Sequence, residues 1–179
     1  MARTFTSDLS VSGIEKLKKQ INQYKNTWLV QKCREYVLKL AESGIEVAQA
    51  NVNESPLGRY VHIKTTSKLV TNGYQTILIA TGEKFEHENY EPFYTMLAIE
   101  FGAGIFYNPV PHPKAKDLGF GVGTFPGQKH AFEDEWWFWD DKKGMWIRSR
   151  GVKATMPMYK ADQEIINNLV KIAKEVFRK

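Results

Sequence analysis

The sequence predicts an α+β fold: a long N-terminal helical region, an antiparallel sheet of about four strands, and a C-terminal helix packed on that sheet. Three observations lead there. Apolar residues recur every three or four positions from Ile14 to Ala48, two β-rich stretches carry hairpin turn signals, and Pro157 opens a second helically periodic run. No repeat or linker divides residues 1–179, which read as one domain. Its parts are a helical region over about 13–52, a sheet and glycine-rich loop over about 58–155, and a terminal helix over about 157–178.

Taken in order, residues 3–9 alternate weakly and suit an edge strand or an arm. Ser12 and Glu15 have capping-box spacing, which starts a helix near Gly13. Ile14, Leu17, Ile21, Tyr24 and Trp28 share one helical face. The stripe then moves to Leu29, Cys33, Tyr36 or Val37, Leu40, Gly44 and Ala48, with the change of phase at Asn26-Thr27. Two helices, or one long helix with a break, satisfy that pattern. Such length suggests an element that also packs on a neighbouring subunit.

Asn53–Gly58 is dense in turn residues and closes the helical region. Arg59–Thr66 alternates, Asn72-Gly73 signals a hairpin, and Tyr74–Thr81 is the returning strand. Gly82–Asn89 reads as a charged turn; the stretch from Pro92 to Phe101 fits a short helix or a strand ending at Gly102, and Pro92, suited to a first helical turn, favours the helix. Residues 102–130 are rich in glycine and proline without periodicity, a long loop of the functional or mobile kind. Glu135–Asp140 and Met145–Ser149 flank a turn and form another hairpin. Pro157 opens the last helix, with Ile165, Leu169, Ile172, Ala173, Val176 and Phe177 on its apolar face.

The bulk numbers narrow the function. With 42% hydrophobic and 13% aromatic residues the chain can build a core. The single cysteine, Cys33, excludes an intrachain disulfide and multi-cysteine metal sites. No apolar run approaches the ~20 residues of a membrane-spanning helix, and residues 1–8 lack the apolar core of a signal peptide. The net charge of +5 is spread over several helices instead of forming one stripe.

Chemical signatures are sparse. Gly119–Gly123 has neither the spacing nor the strand–helix setting of a dinucleotide loop. His112 and His130, with Glu100, Glu133, Asp134 or Glu135, could ligate a metal, but they lack short helical spacing and His112 stands between two prolines. Both histidines are expected at the surface. Asp140-Asp141 and Glu133–Glu135 read as solvated charges, and no nucleophile has a base beside it. No catalysis, cofactor or metal is expected. Trp136, Trp137 and Trp139 cannot share one face of a strand: Trp137 and Trp139 point one way, Trp136 and Phe138 the other. Covering both faces calls for an extra layer, which a subunit neighbour could supply. Stacking on single-stranded bases is the competing use, opposed by the acidic residues nearby.

The order of motifs also carries a resemblance. Glu100-Phe101-Gly102-Ala103-Gly104, then a variable glycine-rich loop, Gly151, and Pro157-Met158-Tyr159 with Ala161 opening the terminal helix, resembles the minor tail-component, or neck, family of long-tailed, siphovirus-type bacteriophages. These are tail-completion, head–tail joining proteins. Family members commonly have Thr where this chain has Ala103, and Pro-Phe where it has Pro157-Met158-Tyr159.

The resemblance implies a structural virion protein in the neck or tail, assembled in the host cytoplasm. It implies a homo-oligomeric ring, six- or twelve-fold, between portal-side connector proteins and the tail terminator or tail tube, with passive contact to DNA in the channel and none to membrane. Expected structural and interface residues are Glu100, Phe101, Gly102, Gly104, Phe106, Tyr107, Phe120, Phe125, Trp136, Trp137, Trp139, Gly151, Pro157 and Tyr159. The alternatives are a metal-dependent hydrolase built on His112, His130 and a carboxylate, or a nucleic-acid-binding module.

Overall fold

The computed structural model describes residues 4–71, 73–87, 90–123, 133–140 and 143–178. Helix α1 (Val11–Tyr24) runs through a π-helical turn at Lys25–Leu29 into α2 (Val30–Asn53). Of the two sequence alternatives, one long helix with a break is what forms. A π turn inserts one extra residue, and the apolar stripe slips by one, from Trp28 to Leu29. The break falls on Thr27, whose hydroxyl donates to the Gln23 carbonyl at 2.6 Å. The expected Ser12–Glu15 cap is corrected: Ser10 caps the helix, its hydroxyl accepting the Gly13 amide at 3.0 Å. Asp8 accepts from both the amide and the hydroxyl of Ser10, which orients the cap. Those two bonds hold the Asp8 carboxyl below its usual range.

Among the described residues three antiparallel hairpins follow, in place of one sheet of about four strands. Strand β1 (Val61–Val70) pairs with β2 (Gly73–Gly82), β3 (Lys84–His87) with β4 (Tyr90–Tyr94), and β5 (Trp136–Asp140) with β6 (Met145–Ser149). The first and third agree with the sequence reading, although Asn72 lies outside the described residues. The middle pair corrects the charged turn expected over 82–89. Its register shifts between Phe85 and His87, opposite Pro92, where a missing N–H costs no ladder bond. The helix expected at Pro92 therefore starts later, as α3 (Thr95–Phe101). A single turn, α4 (Ala115–Leu118), interrupts the glycine-rich loop.

Helix α5 (Pro157–Phe177) packs on α2, not mainly on a sheet as expected. The two run antiparallel: Tyr36 donates to the Leu169 carbonyl, Leu40 packs with Ile172 and Val176, and Lys160 bonds Asn51. Small residues allow this approach. A β-carbon on Gly44 would stand 2.7 Å from the Ile165 side chain and 3.4 Å from Leu78 of β2, so α2, α5 and β2 meet there. A second core joins Val52, Val61 and Ile99, and a third joins Ala98 and Ala103 with Leu57, Phe93, Phe101 and Val152. Together they fix α3 and the segment after it against β1, β4 and the chain that leads into α5 at Val152. No helix among the described residues is long and apolar enough to cross a membrane.

Candidate functional site

The residues that carry the family resemblance converge at the start of α5. This helix has Met156 as its N-cap, in a left-handed conformation (φ 56°, ψ 50°), with Pro157 next. A left-handed non-glycine costs about 1–2 kcal/mol, and Met has no oxygen with which to cap. Glu100 supplies the cap from α3. Its Oε2 accepts the Met158 amide at 2.8 Å and its Oε1 the Tyr159 amide at 2.9 Å. The Met156 amide reaches the Ile99 carbonyl at 3.4 Å, and Pro157 has no N–H to place. Every free donor of the first turn thus has a partner or does not exist. A carboxylate at the positive end of a helix dipole adds to the fit.

His112 completes the arrangement and corrects the expected surface role. It is 5% exposed, and its Nε2 lies 3.2 Å from Glu100 Oε1. Nδ1 accepts the Lys114 amide at 3.0 Å. That bond assigns the ring hydrogen to Nε2, directed at the carboxylate. The ring lies between Phe101 (4.7 Å between centroids) and Tyr159 (5.2 Å), and Phe120 meets Phe101 edge-on at 5.3 Å. Phe120, expected as an assembly anchor, is instead half-buried in this cluster. His130, the other histidine of the expected pair, lies outside the described residues, as does Phe125.

A second fastening joins the glycine segment to the chain before α5. Ala103 and Val152 exchange backbone hydrogen bonds at 2.9 and 2.8 Å. Buried Asn108 donates to the carbonyls of Gly104 (2.9 Å) and Val152 (2.8 Å) and accepts the Ala154 amide at 2.8 Å. Gly102 and Gly104 have φ of 81° and 84°, and Gly151 lies against Ala103. A β-carbon on Gly102 would stand 2.4 Å from the Asn108 amide, and one on Gly104 would stand 3.0 Å from the Trp136 ring. The described part of the long loop is therefore anchored at Asn108, His112 and Ala115, all buried, and is not structureless.

Two surfaces leave this knot and the helices beneath it. The β5–β6 hairpin puts Trp136 inward against Gly104 and Trp137 outward, 60% exposed. Trp137 faces Arg148 across the hairpin, and Trp139 faces Trp146, which is 59% exposed; the Trp139 side chain is outside the described residues. Glu135 grips Arg148 and, at 3.4 Å, Arg150. The Arg148 guanidinium, helped by Arg150, holds the Glu135 carboxyl below its usual range. Phe106 and Tyr107 are exposed nearby, with the Arg150 guanidinium 5.1 Å from the Phe106 ring.

The other surface is α1. Tyr24 stacks on Trp28 at 4.7 Å, Phe5 of the arm covers Tyr24, and Trp28 meets Phe177 at 6.4 Å. Beyond that stack Val11 is 78%, Ile14 52% and Ile21 45% exposed.

The buried cluster is built for fastening. Glu100 and His112 satisfy one another and the backbone, and no group of three His, Cys, Asp or Glu among the described residues is arranged to hold a metal ion. Sequence reasoning found Glu100, Phe101, Gly102, Gly104, Gly151, Pro157 and Tyr159 but missed Asn108 and the role of His112. Pro113, which disfavours helical backbone at the residue before it, was the available signal for His112. No family model, curated protein or solved structure matches this chain.

Proposed function

We propose that the chain is a structural virion protein of the phage head–tail junction, a ring subunit that joins or completes the tail. The observation that carries this reading is α1, about 20 Å of helix whose apolar residues Val11, Ile14 and Ile21 stand in solvent. A helix with such a stripe is normally covered by something else. The exposed Trp137 on a separate element supports it. So does the use of the resemblance-bearing residues, which are spent on holding backbone together. In this reading the ring is six- or twelve-fold, with connector proteins on one side and tail terminator or tube proteins on the other. DNA passes through its channel.

Deletion of the gene from its phage tests the proposal. Filled heads and separate tails in electron micrographs are the expected products, with a portal or capsid gene upstream and a tail-tube gene downstream. Normal tailed particles from the deletion would overturn it.

A further inference from the structure

We propose that α1 of one copy docks on the β5–β6 hairpin of the next copy, making a head-to-tail contact. This rests on the ring reading and specifies which surfaces meet.

Three observations converge. First, the two surfaces lie at opposite ends of α5. Trp28, just after α1, touches Phe177 at the C-terminal end, and the antiparallel course of α2 carries α1 on past it. The hairpin is rooted at the other end, through Gly151 and Val152 on Ala103 and Trp136 on Gly104. The 21 residues of α5 separate them by about 30 Å.

Second, each presents exposed apolar area. Ile14 and Ile21 lie two turns apart on α1, and Trp137 offers the kind of large, rigid ring that anchors interfaces. Third, the charges are complementary. Residues 11–25 hold Lys16, Lys18, Lys19 and Lys25 against one acid, Glu15. Lys18 follows Ile14 by four residues, and Lys25 follows Ile21 by four, which puts both on the rim of the stripe. The approach to β5 carries exposed Glu133 and Asp134, with Glu135 taken up by Arg148 and Arg150. An apolar, basic helix and an aromatic hairpin with an acidic approach at Glu133 and Asp134 are unlike surfaces. Their contact is heterologous and repeats around a ring until it closes.

Sedimentation of the purified full-length chain over a range of concentrations tests the contact. Wild type should self-associate. An Ile14→Gln/Ile21→Gln variant and a Trp137→Ser variant should each associate at least about tenfold more weakly, the loss typical of an anchor residue. Each keeps one good surface, so mixing them should give a one-to-one dimer and nothing larger. If Trp137→Ser loses its fold by circular dichroism, a charge pair replaces it. Lys18→Glu/Lys25→Glu and Glu133→Lys/Asp134→Lys should each weaken association alone and restore it when mixed. Wild type that stays monomeric, either single-surface variant that assembles like wild type, or mixtures that restore nothing would overturn the proposal. Those outcomes leave the deletion phenotype untouched. Conversely, normal tailed particles from the deletion would remove the neck reading and leave this contact standing.

Discussion

Glu100 accepts the backbone amide of Tyr159, 59 residues further along the chain, at 2.9 Å. The bond belongs to the first turn of α5, so the last helix is capped by a residue of the third. Replacing Glu100 by alanine leaves the half-buried Met158 and Tyr159 amides without their acceptor. The expected loss is about 3 kcal/mol, since the bonds involve a charged acceptor. Glu100→Gln keeps one acceptor oxygen and should lose less. Urea unfolding of both variants measures this, and an unchanged midpoint for Glu100→Ala would remove the cap from the account.

His112 should matter for stability. Alanine there removes a ring held between Phe101 and Tyr159 and takes one partner from Glu100. About 2 kcal/mol of destabilisation is expected for a cavity plus a lost buried hydrogen bond. A thermal melt coincident with wild type would return His112 to the surface role that its sequence neighbours suggested.

Asn108 uses its amide in both senses, donating twice and accepting once. Aspartate has the same shape but no donor, and would face the Gly104 and Val152 carbonyls with negative charge. Asn108→Asp should therefore be more destabilising than Asn108→Ala at neutral pH. Chemical denaturation of the pair decides it, and the reverse order would mean that the two carbonyls have other donors.

Gly102→Ala meets both a left-handed backbone and the Asn108 amide, while Gly104→Ala meets a similar backbone and the edge of a ring that can shift. Both should cost more than about 1 kcal/mol, Gly102 the greater amount. Equal, wild-type melting temperatures would leave the Phe-Gly-Ala-Gly pattern without structural consequence.

Neighbouring tryptophans should separate by role. Trp136→Ala uncovers Gly104 and is expected to lower the melting temperature, whereas Trp137→Ala, on the solvent side, should shift stability by less than about 0.5 kcal/mol. In assembled particles the order reverses: the folded Trp137→Ala subunit should fail to join tails to filled heads. Two variants that unfold alike would mean that both rings are core.

Local pattern made much of this fold legible. The change of apolar phase at Asn26-Thr27 located the π turn at Lys25–Leu29, because helical periodicity records every inserted residue. Both hairpins with clear turn chemistry were readable for the same reason. The β3–β4 pair was hidden because its strands are short, charged and interrupted by Pro92, so neither alternation nor hydrophobicity marked it.

By itself, the sequence determined the α+β class, the change of helical phase at Asn26-Thr27, the two marked hairpins and the start of α5 at Pro157. All of these depend on neighbours within a few residues. Only tertiary structure decided that Glu100 caps α5, that His112 is buried against it, that Asn108 ties Gly104 to Val152, and that α5 lies along α2. Those choices join residues tens of positions apart. A buried hydrogen-bonding group must find its partner wherever the packed chain brings one, and sequence spacing carries no record of that distance.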